Sequence, residues 1–231
     1  MAATASKQPM LLAVFLVLAV ASSSATTLTL HNLCPYPVWP LVTPNTGFPS
    51  ISDNTASLDG GGRGLVSYRF PASFWAGRVV ARTGCAAAAS RCETGDAPPA
   101  TVVQLVVHAE GVQDVAAYSV SLVDGFNVPA VVSPHAVGGG QCPALGCAAD
   151  LNAGCPSAER VVGAGGAVVA CRAGAASYFK ERCPLTRTTP TDVEPVPQHC
   201  LAPGELKIVF CQPAMVGDGE PELIRTVVAD D

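Results

Sequence analysis

The chain predicts a mainly β domain, a sandwich or barrel of short strands held by disulfides. Three observations carry that reading. Period-2 alternation recurs in short segments, turn clusters separate them, and ten cysteines lie downstream of an export-type leader. The leader comes first in the chain. Residues 1–25 place Lys7 before an apolar run from Met10 to Ala21, then Ser22, Ser23, Ser24 and Ala25. That is a charged region, an apolar region and a small-residue cleavage site, with cleavage expected after Ala25. The apolar run is about twelve residues, short of the roughly twenty that span a bilayer. Export makes the thiols an oxidised framework rather than a metal site or a cytosolic redox pair.

The strands follow in order. Thr27-Leu28-Thr29-Leu30-His31 puts its leucines on one face. Leu65–Phe70, Arg78–Ala81 and Val102–His108 are β-branched or apolar and read as strands. Tyr118–Leu122 alternates, and Glu205–Phe210 points Leu206, Ile208 and Phe210 one way. Turn clusters fall at Pro44–Gly47, Asp59–Gly62, Asp96–Pro99 and Val137–Gly140. From Gln141 to Cys200 the pattern changes. Six cysteines gather there among Ala, Gly and Pro, which predicts a disulfide-held excursion with helical turns near Ala148–Ala153 and Ala175–Glu181. No internal repeat is visible. The last segment, Gln212–Asp231, carries no cysteine and reads as an unanchored tail, with an extra strand near Arg225–Ala229 as the alternative.

Composition excludes some functions. The net charge is −5. Asp218, Glu220, Glu222, Asp230 and Asp231 of the tail supply much of it, so the body is nearly neutral. Such a body offers no electrostatic footprint for nucleic acid and no polybasic membrane signal. There is no Asn-x-Ser/Thr acceptor for N-glycosylation. His31, His108, His135 and His199 are scattered without metal-ligand spacing, so no metal and no cofactor is expected. Gly60-Gly61-Gly62-Arg63-Gly64 lacks the Lys-Ser/Thr of a phosphate loop and reads as a turn. No Gly-x-Ser-x-Gly elbow is present. Trp39, Trp75, Tyr36 and Tyr68 could stack on sugars, but core packing is the default for such residues.

Specific segments resemble a known family. Ser121-Leu122-Val123-Asp124-Gly125-Phe126-Asn127-Val128-Pro129 looks like the most recognisable stretch of plant thaumatin-like, pathogenesis-related proteins. Asn32–Pro40, Gly60–Arg63, Gly77-Arg78, Arg82–Cys85, Cys92–Asp96, Cys147–Asn152, Phe179–Pro184 and Val209–Cys211 fit in the same order. The resemblance is collinear over residues 28–212. It implies a thaumatin-like β-sandwich or flattened barrel of about ten strands with a disulfide-rich, short-helix subdomain. The expected organisation is therefore a signal peptide over 1–25, the domain over 26–212 with its excursion at 141–200, and a tail over 213–231. Most members carry sixteen cysteines, and this chain has ten. The resemblance implies five remaining bridges: Cys34–Cys211, Cys85–Cys92, Cys142–Cys200, Cys147–Cys183 and Cys155–Cys171. Loop-closure entropy assigns about 5 kcal/mol to the largest ring and about 2.5 to the smallest.

Members of that family carry an acidic cleft of one Arg, one Glu and three Asp. Carried over by position, Arg78 and Asp124 match. The Glu position reads Gln104, the Asp five residues before Asp124 reads Ser119, and the Asp after Cys183-Pro184 reads Leu185. Glycoside hydrolysis needs two flanking carboxyl groups, so no catalytic residue is assigned. Arg78, Gln104, Ser119 and Asp124 become candidate target-binding residues. Asp124 with Arg78 reads as a structural ion pair. Glu110 and Asp114 are possible replacement carboxylates.

The resemblance implies a secreted, monomeric plant defence protein that is not an enzyme. Its partner would be fungal cell-wall polysaccharide, glucan above all, or a pathogen-derived protein. The alternative is an inhibitor of a secreted fungal or insect hydrolase such as xylanase. A weak β-1,3-glucanase ranks behind both. The location would be the apoplast, or the vacuole if the tail is a sorting propeptide.

Overall fold

Alternating side chains in this sequence sort onto two sheets that face each other across one apolar core. The computed structural model describes residues 26–86, 91–107, 115–193, 195–196 and 198–213. The leader, His108, Glu110, Asp114 and residues 214–231 of the tail lie outside the described residues.

The first sheet runs β3 (Gly64–Arg69), β1 (Thr27–Asn32), β13 (Glu205–Phe210), β7 (Ala130–His135), β9 (Leu145–Cys147). The second runs β2 (Trp39–Pro44), β4 (Trp75–Arg82), β5 (Val102–Val107), β6 (Val115–Ser121), β12 (His199–Leu201), β8 (Gly139–Gln141). A separate hairpin pairs β10 (Arg160–Val162) with β11 (Val168–Cys171). Among the described residues every pairing of these strands is antiparallel except β1 with β13. Leu28 and Leu30 of β1 meet Leu206, Ile208 and Phe210 of β13 in the core, each at most 1% exposed. Burial of such side chains contributes roughly 1.5–3 kcal/mol apiece. The opposite sheet supplies Val79, Val103, Leu105, Tyr118 and Val120. The phenol of Tyr118 donates to the Pro143 carbonyl at 2.7 Å, and burial pushes its pKa up, so it stays a donor.

Two of the six-residue strands do not announce themselves in the sequence. Proline interrupts both β2, at Pro40 and Pro44, and β7, at Pro134. β2 is an edge strand, where the missing N–H costs no ladder bond. In β7, the partner β9 reaches only Ala130–Val132, so Pro134 has a strand on one side alone.

The excursion has its own small core. Leu122 and Phe126, on the turn after β6, pack with Leu151, Cys155, Cys171, Phe179 and Cys183. Helix α1 (Ala176–Arg182) follows a short 3-10 turn and delivers Phe179. The expected helical turn at 148–153 does not form; that stretch is bends and turns. Disulfides at Cys147 and Cys155 pull its ends toward different partners. Asp150 also takes the Asn152 N–H at 3.0 Å, which closes an Asx turn in place of a helical one.

The stretch Ser121–Pro129 is the joint between the two cores. Gly125 sits at φ 98°, and a Cβ there would strike Pro99 and the Cys171 carbonyl. Asn127, 2% exposed, donates to the Ala81 carbonyl at 2.8 Å and to Thr94 Oγ1 at 2.9 Å, and accepts from the Thr101 N–H at 3.0 Å. Val128 then enters the main core.

The ten cysteines form five disulfides: Cys34–Cys211, Cys85–Cys92, Cys142–Cys200, Cys147–Cys183 and Cys155–Cys171. The first spans 177 residues and fastens the end of β1 to the end of β13. Beyond α1, the loop up to Asp192 closes on that carboxylate. It accepts from the Thr189 hydroxyl at 2.6 Å, the Thr188 N–H at 2.8 Å and Lys180 Nζ at 3.3 Å. These donors, the Thr189 hydroxyl foremost, hold its pKa well below the ordinary carboxylate value.

Two expectations follow. Replacing Cys34 and Cys211 together by serine should lower the unfolding free energy by about 3–5 kcal/mol in guanidinium titrations of the oxidised protein. An unchanged midpoint would show that the β1–β13 junction does not need the bridge. For Asp192, a depressed folded-state pKa means stability that is present above the unfolded value and lost as pH falls. The melting-temperature advantage of the native protein over Asp192→Asn should be constant above about pH 5 and shrink below about pH 4. A gap that is unchanged down to pH 2 would contradict it.

Candidate binding face

The pairing register brings three of the four candidate residues into one line. Arg78 on β4 stands opposite Gln104 on β5, and Gln104 stands opposite Ser119 on β6. Directly opposed residues in antiparallel strands share a face. The three side chains therefore project from the outer face of the second sheet, away from Val79, Val103 and Val120. Thr43 of β2, opposite Arg78, extends the row to a fourth strand. It has no counterpart in the sequence reading, because an edge-strand threonine carries no signal of its own.

Arg78 and Gln104 are exposed, while Ser119 is 5% exposed. The Ser119 hydroxyl donates to Gln104 Oε1 at 3.3 Å. Leu185, on the segment beside β6, packs against the main core. That segment is held to β6 by reciprocal backbone bonds, Arg187 N–H to the Val120 carbonyl at 2.9 Å and Leu122 N–H to the Arg187 carbonyl at 2.7 Å. An apolar side chain suits that half-buried place; a carboxylate there would have to be desolvated.

Asp124 does not join the row. It is exposed on the turn after β6, and its carbonyl accepts from the Ala100 N–H at 3.3 Å. One full rank of pairs, Leu41, Val80, Val102 and Ser121, stands between it and the Gln104 rank. Val80 and Val102 are buried with Ala100 in a small apolar cluster. The Arg78–Asp124 ion pair expected from sequence is absent. Arg78 points outward from mid-strand, and Asp124 lies beyond the strand end on the far side of that apolar band.

The face thus offers a guanidinium, an amide, two hydroxyls and one displaced carboxylate. It can bind a hydroxyl-rich or carbonyl-rich partner by hydrogen bonds. It does not present two carboxyl groups across a common gap among the described residues.

The other sequence candidates divide. Trp75 is fully buried against Phe70, its ring centroid 5.1 Å away, and Tyr68 packs on the core. Tyr36 and Trp39 instead line a cavity of about 410 Å³ between the β-body and the excursion. His31 bonds to the Gly62 carbonyl at 3.1 Å and His135 to Ser133 at 3.2 Å. Among the described residues no three His, Cys, Asp or Glu side chains converge on a metal position. Residues 60–63 form a turn leading into β3, with Gly61 and Gly62 at positive φ and N–H bonds to the Cys34 and Asn32 carbonyls. Among the described residues no helix is long and apolar enough to cross a membrane.

Comparison with known proteins agrees with this architecture. Residues 32–178 match the Thaumatin family. An osmotin-like protein of Solanum lycopersicum is 36% identical, over 80% of this chain and 88% of its own length. A protein of Prunus avium named glucan endo-1,3-beta-glucosidase is 32% identical, over 85% and 78%. Pathogenesis-related protein 5 of Arabidopsis thaliana is 39% identical, over 64% of each chain. With two facing sheets, a disulfide-rich excursion and these similarities along most of its length, the chain belongs to the thaumatin family.

Proposed function

We propose that this is a plant defence protein of the secretory pathway that holds β-1,3-glucan of fungal walls without cleaving it. The observation that carries the reading is the Thr43–Arg78–Gln104–Ser119 row. It is a polar, hydrogen-bonding line across four strands in which the positions suited to acid/base work hold an amide and a hydroxyl. Gln104 keeps the shape and acceptor of a glutamate but cannot transfer its proton. The Ser119 hydroxyl is already spent on Gln104. Among the described residues Asp124 stands alone beyond the apolar band, so no acid and base flank one bond there.

Family membership supports the defence role, and the name of the Prunus avium relative supports glucan as the ligand class. The leader-type segment and the disulfide framework support export. We assign the segment 213–231 a sorting role toward the vacuole; fusing it to a secreted reporter tests this, and unchanged secretion rejects it. The second reading, inhibition of a secreted hydrolase such as xylanase, would use the same outer face as a protein-docking surface.

The mature protein should sediment with insoluble β-1,3-glucan and release no reducing sugar from laminarin above background. General acid/base groups contribute 10²–10⁴-fold each, so their absence leaves turnover undetectable. Replacing Arg78 and Gln104 together by alanine should lower the glucan-bound fraction about tenfold, because a charged and a neutral hydrogen bond are both lost. Clear laminarin hydrolysis that vanishes in Glu110→Gln or Asp114→Asn would overturn the non-catalytic reading. Xylanase inhibition without glucan retention would replace the glucan assignment by the second reading.

A further inference from the structure

The cavity at the seam between the β-body and the excursion is chemically unlike the outer face. Six separate stretches line it: Tyr36 and Pro37 with Trp39, Thr83 with Gly84, Glu93, Asn127, Asp150 with Asn152, and residues 167–169. None of Arg78, Gln104, Ser119 or Asp124 takes part. Its volume, about 410 Å³, lies in the range of small-ligand pockets.

Most of its side-chain donors are already engaged, the Tyr36 hydroxyl lying 3.7 Å from Cys211 Sγ. Both Asn127 amide hydrogens are used, on Ala81 and Thr94. Both Asn152 amide hydrogens go to the Asn127 and Val169 carbonyls, at 2.9 and 3.3 Å. The Thr83 hydroxyl is paired with Thr94 at 2.8 Å. On the acceptor side, Glu93 uses Oε1 for the Ala164 N–H at 2.9 Å, and Asp150 uses Oδ1 for the Asn152 N–H. Their second oxygens have no partner among the described residues. Asn152 Oδ1 is buried and also lacks one. Apart from the Trp39 indole N–H, what remains unspent among these side chains is acceptor capacity, chiefly of two ionisable carboxylates. Among the described residues no Lys, Arg or His lines the cavity.

The walls are aromatic. Tyr36 is 39% exposed and Trp39 is half-buried. Burial, and secondly the Asp150 charge, push the Tyr36 pKa up, and both residues line the same cavity. Aromatic faces beside carboxylates, with the amide donors consumed, suit a flat, weakly hydrated cation with several N–H groups. A sugar would need donors and acceptors in similar number. A compact ammonium would gain less from the ring faces and could not fork between separated oxygens.

We propose that this seam cavity binds a guanidinium group on an aliphatic chain, which stacks on Tyr36 or Trp39 and donates to Asp150 and Glu93. The group could belong to a free small molecule or to an arginine of another protein; both present the same chemistry. The proposal is independent of glucan binding on the outer face.

The test uses the mature, disulfide-intact protein, with calorimetry and tryptophan fluorescence as readouts. Trp39 reports on the cavity, since Trp75 is fully buried elsewhere. N-acetyl-argininamide should bind saturably below about 10 mM and perturb the emission. The affinity should fall as salt rises. The neutral citrulline analogue should not bind, and the lysine analogue should bind at least about threefold more weakly. Asp150→Asn with Glu93→Gln keeps both backbone-accepting oxygens, so the fold survives, and should reduce affinity at least about tenfold. Glucan retention should be unchanged in that double variant, which separates this site from the outer face. A hexapeptide with one central arginine that binds more tightly than the single residue points to a protein-borne source, and equal binding points to a free ligand. No saturable binding, equal binding of the citrulline or lysine analogue, or an unaffected double variant would overturn the assignment.

Discussion

The structure depends on the parallel contact between its first and last strands. β1 and β13 lie side by side in the centre of the first sheet, with β3 beyond one and β7 beyond the other. Their inward side chains, Leu28, Leu30, Leu206, Ile208 and Phe210, form the floor on which the second sheet packs. A parallel neighbour cannot be reached by a tight hairpin. Here nearly the whole domain is the connection, and Cys34–Cys211 fixes its closure. Without that junction β3 and β7 would be edge pieces of separate half-sheets, and the second sheet would lose its facing layer.

The turn after β6 carries side chains into both cores. Leu122 and Phe126 plug the excursion, Val128 plugs the body, and Asn127 between them satisfies three backbone and hydroxyl groups. The most recognisable stretch of the sequence is thus a structural joint. Asp124 is its solvent-facing member.

Much of the body was legible because period 2 survives where one face is wet. β1, β6 and β13 read directly from Leu28 and Leu30, from Tyr118 and Val120, and from Leu206, Ile208 and Phe210. β2 and β7 were hidden by Pro40, Pro44 and Pro134, whose tolerance depends on sheet position, which local sequence does not encode. β8, β9 and β12 are three residues each, too short for any period. The bends at 148–153 were misread as helical because Ala-rich composition favours a helix, whereas covalent ties and the Asp150 turn decide the outcome. Among the site residues, Arg78, Gln104 and Ser119 were reached only through family resemblance, since register is a property of pairing. The position of Asp124 behind Val80 and Val102 needed three dimensions, as did the seam cavity, whose walls come from six separate stretches.

The outer row rests on strands whose opposite faces are already committed to the core. Its exposed side chains, Arg78 and Gln104, can therefore change identity with little effect on folding. The plate is a rigid mount with replaceable fittings. A lineage can lose one chemistry there and acquire another while the mount keeps its shape, so divergence of target need leave no trace in the protein's durability.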